Sequence, residues 1–212
     1  DFICETCLRT TLDSKAWSHK SRPKSLPKGL KFGEWLTIDV IERSVKSREH
    51  IDGKKFKAGG IKAVLYGICQ KSSRNFHVPL RKKSDVEQAL LNLIAHVEIQ
   101  MRHSTDFDGF TAPKVTRIKS DRDSNLTSRD AIVMLLEKRV EQILTAPRAK
   151  NATAQLDAKV RRLLTTARSE LYHAKLDATF WEHSWKHTLF VDDYTPCNSN
   201  PRGDSPMRYW LG

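Results

Sequence analysis

Apolar and polar positions along the chain follow two alternating periods. Trp35, Leu36, Ile38, Val40 and Ile41 crowd residues 34–45 into a strand whose one polar oddity is Asp39. Residues 46–60 form a polar, basic stretch with Gly53, Gly59 and Gly60. Two more strand-like runs follow, Ile61 to Cys69 and Asn75 to Leu80, with a Lys71-Ser72-Ser73 turn between them. Three sequential strands predict an antiparallel meander. Ser84-Asp85-Val86-Glu87 reads as a capping box, and behind it Val86, Leu90, Leu93, Ile94, Val97 and Met101 recur at helical spacing. Lys114 to Ser120 predicts a short strand that delivers Asp121 at its end. Thr127-x-x-Asp130 is expected to cap a second helix running through Val140, and Ile143-Leu144 suits a fifth strand. A third helix is predicted from about 152 to 176, with Leu156, Val160, Leu163, Leu164, Ala167 and Leu171 on one face. A fourth, from about 178 to 194, carries Phe180, Trp181, Trp185, Leu189 and Phe190. The prolines at 196, 201 and 206 are expected to end regular structure. This order predicts an α/β layer fold with about five strands, and Trp181, Trp185 and Trp210 are expected in its core.

Charge adds a partner to that picture. The 212 residues hold 37 Lys+Arg against 25 Asp+Glu, a formal charge of +12 with 39% hydrophobic content. That apolar share supports a packed core, and no run approaches the roughly 18 apolar residues of a membrane span. The positive excess points to a polyanion, nucleic acid before a membrane surface. Residues 8–33 carry seven Lys or Arg against the single acid Asp13, a basic linker that reads equally as an arm on a nucleic-acid backbone or as a solvated tether. The chain opens on Asp1, so a segment of a longer protein is expected. Cys4 and Cys7 have the spacing of two thiolates on one zinc ion, which needs two further ligands. The expected division is residues 1–32 as the end of a zinc module with its linker, 33–195 as a core domain, and 196–212 as an extension.

Three acids stand in contexts that solvated surface acids lack. Asp39 lies inside an apolar strand, Asp121 ends a strand, and Asp157 begins a helix beside its apolar stripe, with 35 residues between it and Asp121. Carboxylates converging from separate rigid elements suit hard divalent cations and in-line phosphodiester chemistry. Singly, each acid also suits a plain structural role: an edge-strand acid, a turn acid, and a first-turn acid favoured by the helix dipole.

These residues resemble the integrase core of copia-type long-terminal-repeat retrotransposons, whose acids follow a D, D-35-E pattern. Cys4-x-x-Cys7 is similar to the end of that family's His/His/Cys/Cys zinc module, and Lys119-Ser120-Asp121 to its Arg-Ser-Asp. Asp157-x-Lys159-x-Arg161-x-Leu163-Leu164-x-x-Ala167-Arg168 resembles its Glu-Arg-Lys-Asn-Arg-x-Leu-Leu-x-x-Ala-Arg helix. Phe180-Trp181 matches its Phe-Trp, and Ser205-Pro206-Met207-Arg208-Tyr209-Trp210-Leu211-Gly212 its closing Thr-Pro-Tyr-Glu-Leu-Trp-Tyr-Gly. The chain departs from the family in three places: Asp157 stands for Glu, Arg122-Asp123 for Asn-Gly, and the acidic pair of the second strand is missing.

The resemblance implies a ribonuclease H-like mixed sheet flanked by helices. It implies Asp39, Asp121 and Asp157 as catalytic ligands of Mg²⁺ or Mn²⁺, with Zn²⁺ at Cys4 and Cys7 completed in the full-length parent. The implied activity is metal-dependent 3′ end processing and strand transfer. Lys119, Lys159, Arg161 and Arg162 are the expected DNA contacts, with Lys159 foremost because it lies near the acid and off the apolar stripe. DNA ends and target DNA are the implied partners, with a homo-oligomer on DNA and no membrane, and the implied location is the nucleus or a cytoplasmic particle before nuclear entry. The alternative is a catalytically decayed or domesticated nucleic-acid-binding domain of the same fold.

Overall fold

The structure, a computed structural model, describes residues 29–43, 48–51, 55–58, 60–145, 154–197 and 200–212. Five strands form one mixed sheet: β1 (Trp35–Glu42), β4 (Ala63–Cys69), β5 (Asn75–Leu80), β6 (Arg117–Ser120) and β7 (Glu141–Leu144), in the order β5-β4-β1-β6-β7. The first three make the expected antiparallel meander, with Asp39 opposite Tyr66 and Leu65 opposite Val78. β6 runs parallel to β1, and β7 parallel to β6. The polar stretch after β1 holds a separate hairpin, β2 (Arg48–Ile51) with β3 (Lys55–Ala58), His50 opposite Phe56.

Strand alternation sends successive side chains to opposite faces. β4 is buried along its whole length, because both faces are covered. Leu36, Ile38, Leu65, Phe76 and Leu80 point to one layer, packed by Leu90, Leu93, Ile94 and Val97 of α1 (Val86–Met101) and by Met134 and Leu135 of α2 (Arg129–Glu137). Ile41, Val64, Tyr66 and Ile68 point to the other. There they meet Leu156, Leu163 and Leu171 of α3 (Ala154–His173) and Trp181, Trp185 and Leu189 of α4 (Trp181–Tyr194). Gly33, at φ +75° before β1, sits so close to α1 that an added Cβ would fall 2.6 Å from Met101 Cγ.

Three local expectations change. Ser84 does not cap α1: residues 83–85 form a 3₁₀ turn, and Asp85 Oδ2 reaches back to accept the Lys82 N–H at 3.1 Å. The cap of α2 is Ser128, one residue past Thr127, its Oγ accepting the Ala131 N–H at 3.2 Å. Regular structure resumes at the last of these prolines, which opens α5 (Pro206–Leu211), and Trp210 is fully buried. Its ring lies 5.4 Å from Phe32 and 5.7 Å from Phe76, and its Nε1 donates to the Gln100 carbonyl at 3.2 Å. Both Phe32, at the end of the expected linker, and the closing segment thus belong to the core under α1. Trp181 and Trp185 are also core residues, as expected. No described helix is long and apolar enough to cross a membrane.

Candidate active site

The parallel pairing Leu36↔Ile118 and Thr37↔Lys119 fixes the relation between the first two acids. Carried two residues further, that register brings Asp121, just past the carboxyl end of β6, level with Asp39 in the middle of β1. Asp39 shares its face with Thr37 and Ile41, so it points to the layer that α3 covers. Leu156, Val160 and Leu163 seat α3 on that layer, and Asp157, in its first turn, is exposed beside them.

The electrostatics report the same juxtaposition. The Asp39 carboxyl is pushed up to about 6, first by burial, then by the charge of Asp121; a bond from the Val40 N–H, 2.7 Å from Oδ1, pulls the other way, and Asp157 and Asp123 add to the rise. Four carboxylates from β1, the end of β6 and α3 therefore share one field. Asp123 is a member that the sequence pattern did not single out. Its N–H donates to Asp121 Oδ1 at 3.0 Å, closing an Asx turn, and its own Oδ1 accepts from the backbone and side chain of Asn125, both at 2.8 Å. Burial opposes its ionisation, but the Asn125 bonds and Lys83 outweigh it and hold its carboxyl below the usual range. The run Ser-Asp-Arg-Asp-Ser-Asn, typical of Asx turns, was the available signal. Lys83 spans the strand ends, 2.9 Å from Glu42 Oε1 and 3.0 Å from Asp123 Oδ2. No pattern marks it.

The donor set is all oxygen and anionic, and burial, then its crowding, raises the proton affinity of Asp39. That chemistry suits a hard divalent cation. Among the described residues, though, no three His, Cys, Asp or Glu stand together closely enough to hold a metal ion. The acids form an electrostatic group rather than a closed ligand set.

The expected DNA contacts divide. Lys119 lies half-buried on β6, and Arg161 is exposed on α3. Arg162 pairs with Asp192. Lys159 departs from expectation: its side chain is 11% exposed, its ammonium pairs with Asp192 Oδ2 at 3.0 Å, and it donates to the Ser73 carbonyl at 2.5 Å. Being off the apolar stripe does not make it a surface cation, because α4 supplies a carboxylate there. Cys4 and Cys7 lie outside the described residues.

No protein-family model matches the chain, and no curated protein matches it in sequence. A solved structure matches it in fold. A chain in the cryo-EM structure of the simian T-cell lymphotropic virus intasome in complex with PP2A regulatory subunit B56 gamma matches 90% of this chain with a TM-score of 0.56, at 11% identity. This chain spans 57% of that chain's length. An integrase-like fold, a ribonuclease H-like mixed sheet of five strands flanked by helices, is what the two share.

Proposed function

We propose that the chain is the integrase core of a copia-type retrotransposon, acting on DNA at the acid group of Asp39, Asp121 and Asp157. The observation that carries this reading is the shared field of acids from three separate elements, with Asp39 inside β1, Asp121 just past β6 and Asp157 on α3. The intasome-like fold and the +12 charge support it. Asp39, with its raised proton affinity, would accept a cation or a proton at Oδ2 while the Val40 N–H orients Oδ1. Asp121 and Asp157 would supply the other oxygens. Mg²⁺ or Mn²⁺ bound there would lower the pKa of the attacking water or 3′ hydroxyl and neutralise charge on the phosphorane. Lys119 and Arg161 would meet the DNA backbone. Element ends and target DNA would be the partners of a homo-oligomer, in the nucleus or in a cytoplasmic particle before nuclear entry. Cys4 and Cys7 would complete a Zn²⁺ site with ligands of the full-length parent.

A second reading, a nucleic-acid-binding domain of this fold without catalysis, is favoured by the exposed Asp157 and by the lack of a closed ligand set among the described residues. The separating experiment is Mn²⁺-dependent nicking and strand transfer with an element-end duplex. Nicking that EDTA, Asp39→Asn and Asp121→Asn each abolish supports the integrase reading. Salt-sensitive DNA binding with no nicking overturns it in favour of the second.

A further inference from the structure

Asp157 and Lys159 are two residues apart on α3, which turns their side chains about 200° around the helix axis. The stripe of Leu156, Val160 and Leu163 runs between these directions and packs on the sheet, so the two side chains leave α3 on opposite flanks. On one flank the Asp157 charge acts on Asp39. On the other, Lys159 and Arg162 both converge on Asp192 of α4. Asp192 Oδ2 also accepts from Asn75 Nδ2 at 2.9 Å. Asn75 opens β5, where its N–H and Nδ2 donate to Asp193 Oδ1 at 2.9 and 2.7 Å and its Oδ1 accepts the buried Tyr66 hydroxyl at 2.6 Å. β5 is the sheet edge two strands away from β1, whereas Asp121 follows β6 on the far side. The network thus grips α3 from the β5 side, while its acid stands over the β1–β6 side.

We propose that Asp192 is a positioning residue for Asp157: through Lys159 and Arg162 it locks the rotation of the first two turns of α3 about the helix axis, and so sets where the Asp157 carboxylate stands relative to Asp39. The functional part of this inference rests on the integrase reading above; the rotational part does not. The apolar stripe sets which face of α3 meets the sheet but, its attraction being non-directional, leaves the fine rotation to directional contacts. Two cations held on one carboxylate, in a place where an unpaired charge is costly, fix it tightly.

The test compares Asp192→Asn and Lys159→Met with Ser184→Ala, which removes a bond between α3 and α4 at the far end of the pair, where Ser184 Oγ donates to the Ala167 carbonyl. Spin labels at exposed positions 161 and 138 report the rotation of α3 against the α2 side by their distance distribution. Asp192→Asn and Lys159→Met are expected to shift or broaden that distribution and Ser184→Ala to leave it sharp. Mn²⁺ affinity, read by electron paramagnetic resonance, and the nicking rate should fall about tenfold to a hundredfold in the first two, the scale of a 1 Å misplacement. DNA affinity and its salt slope should hold, and Lys159→Arg should restore both losses. Unchanged label distances in Asp192→Asn and Lys159→Met would overturn the proposal. So would equal losses in Ser184→Ala at matched destabilisation, or a salt slope lowered by about one in Lys159→Met, the mark of a lost phosphate contact. If the unmodified chain neither binds Mn²⁺ nor nicks DNA, the integrase reading fails by itself, and the label distances still decide the anchor.

Discussion

Asp121 stands two residues beyond the Thr37↔Lys119 pair, just past β6, and Asp39 two residues beyond it within β1; the Asp121 charge is the main electrostatic reason, after burial, that the Asp39 carboxyl is pushed up to about 6. An acid with a folded pKa above its unfolded value of 3.8 opposes folding once ionised. Between about pH 4 and 6 the folded state holds more protons than the unfolded one, so stability falls as pH rises through that window. The cost above pH 6 is on the order of 3 kcal/mol at most. Asp39→Asn should therefore raise the Tm at pH 7.5 and leave it nearly unchanged near pH 3.5, as thermal melts across pH would read. On the integrase reading, a bound cation would offset that cost. Mn²⁺ at about ten times its Kd should stabilise the unmodified chain by about 1.4 kcal/mol, and Asp39→Asn should not respond.

His77 carries a slope of the opposite sign. Burial, then the nearby Lys186, lowers its pKa to about 4. Between pH 6.5 and 4 the unfolded state binds the extra proton, so stability is complete above 6.5 and is lost as pH falls through the window, by about 3 kcal/mol. His77→Gln should remove that loss, which urea unfolding at pH 7.5 and 4.5 would show as a smaller difference between the two. An acid limb of unaltered steepness in His77→Gln would locate the titration elsewhere.

What the sequence made legible follows from what local pattern can carry. The meander, α1 and α3 announce themselves because Ile38, Leu65, Leu93 and Leu163 sit at strand or helix period against a core. The hairpin β2–β3 does not, since Arg48-Glu49-His50-Ile51 lacks alternation and Lys55-Phe56-Lys57-Ala58, which has it, is only four residues long. Asp39 stood out because a lone Asp inside Trp-Leu-Thr-Ile-Asp-Val is conspicuous, and the charges of Asp121 and Asp157 both act on it. The place of Lys159 was not legible: its fate depends on Asp192, 33 residues away, which local spacing cannot bring to it. Trp210 was legible as a core residue, but the prolines before it concealed its helix.

The closing segment is expected to hold the first core together. Trp210 packs on Phe32 and Phe76, and the Arg74 guanidinium lies 4.7 Å from its ring centre. Trp210→Ala should cost about 3–5 kcal/mol, as for other large aromatic truncations in a core, and should loosen Phe32 at the entry to β1. Chemical denaturation measures the loss, and amide exchange at residues 32–36 should speed up with it. A cost under about 1 kcal/mol would mean that residues 205–212 are an appendage.

The last prediction concerns the length of the third acid. Asp157 is one methylene shorter than the Glu of the family it resembles, which withdraws the carboxylate by about 1 Å. The backbone of α3 cannot close that gap freely, because Leu156 and Leu163 already sit buried against the second core and Lys159 is tied to Asp192. Asp157 is itself exposed, so a longer side chain has room to extend. Asp157→Glu should therefore raise Mn²⁺-dependent nicking by about tenfold to a hundredfold, with DNA affinity unchanged, the scale set by a 1 Å displacement of a catalytic group. Asp157→Asn should lower whatever nicking the unmodified chain has. A fall in Asp157→Glu, together with loss in Asp157→Asn, would show that this chain works with the short acid and that lengthening it crowds the site.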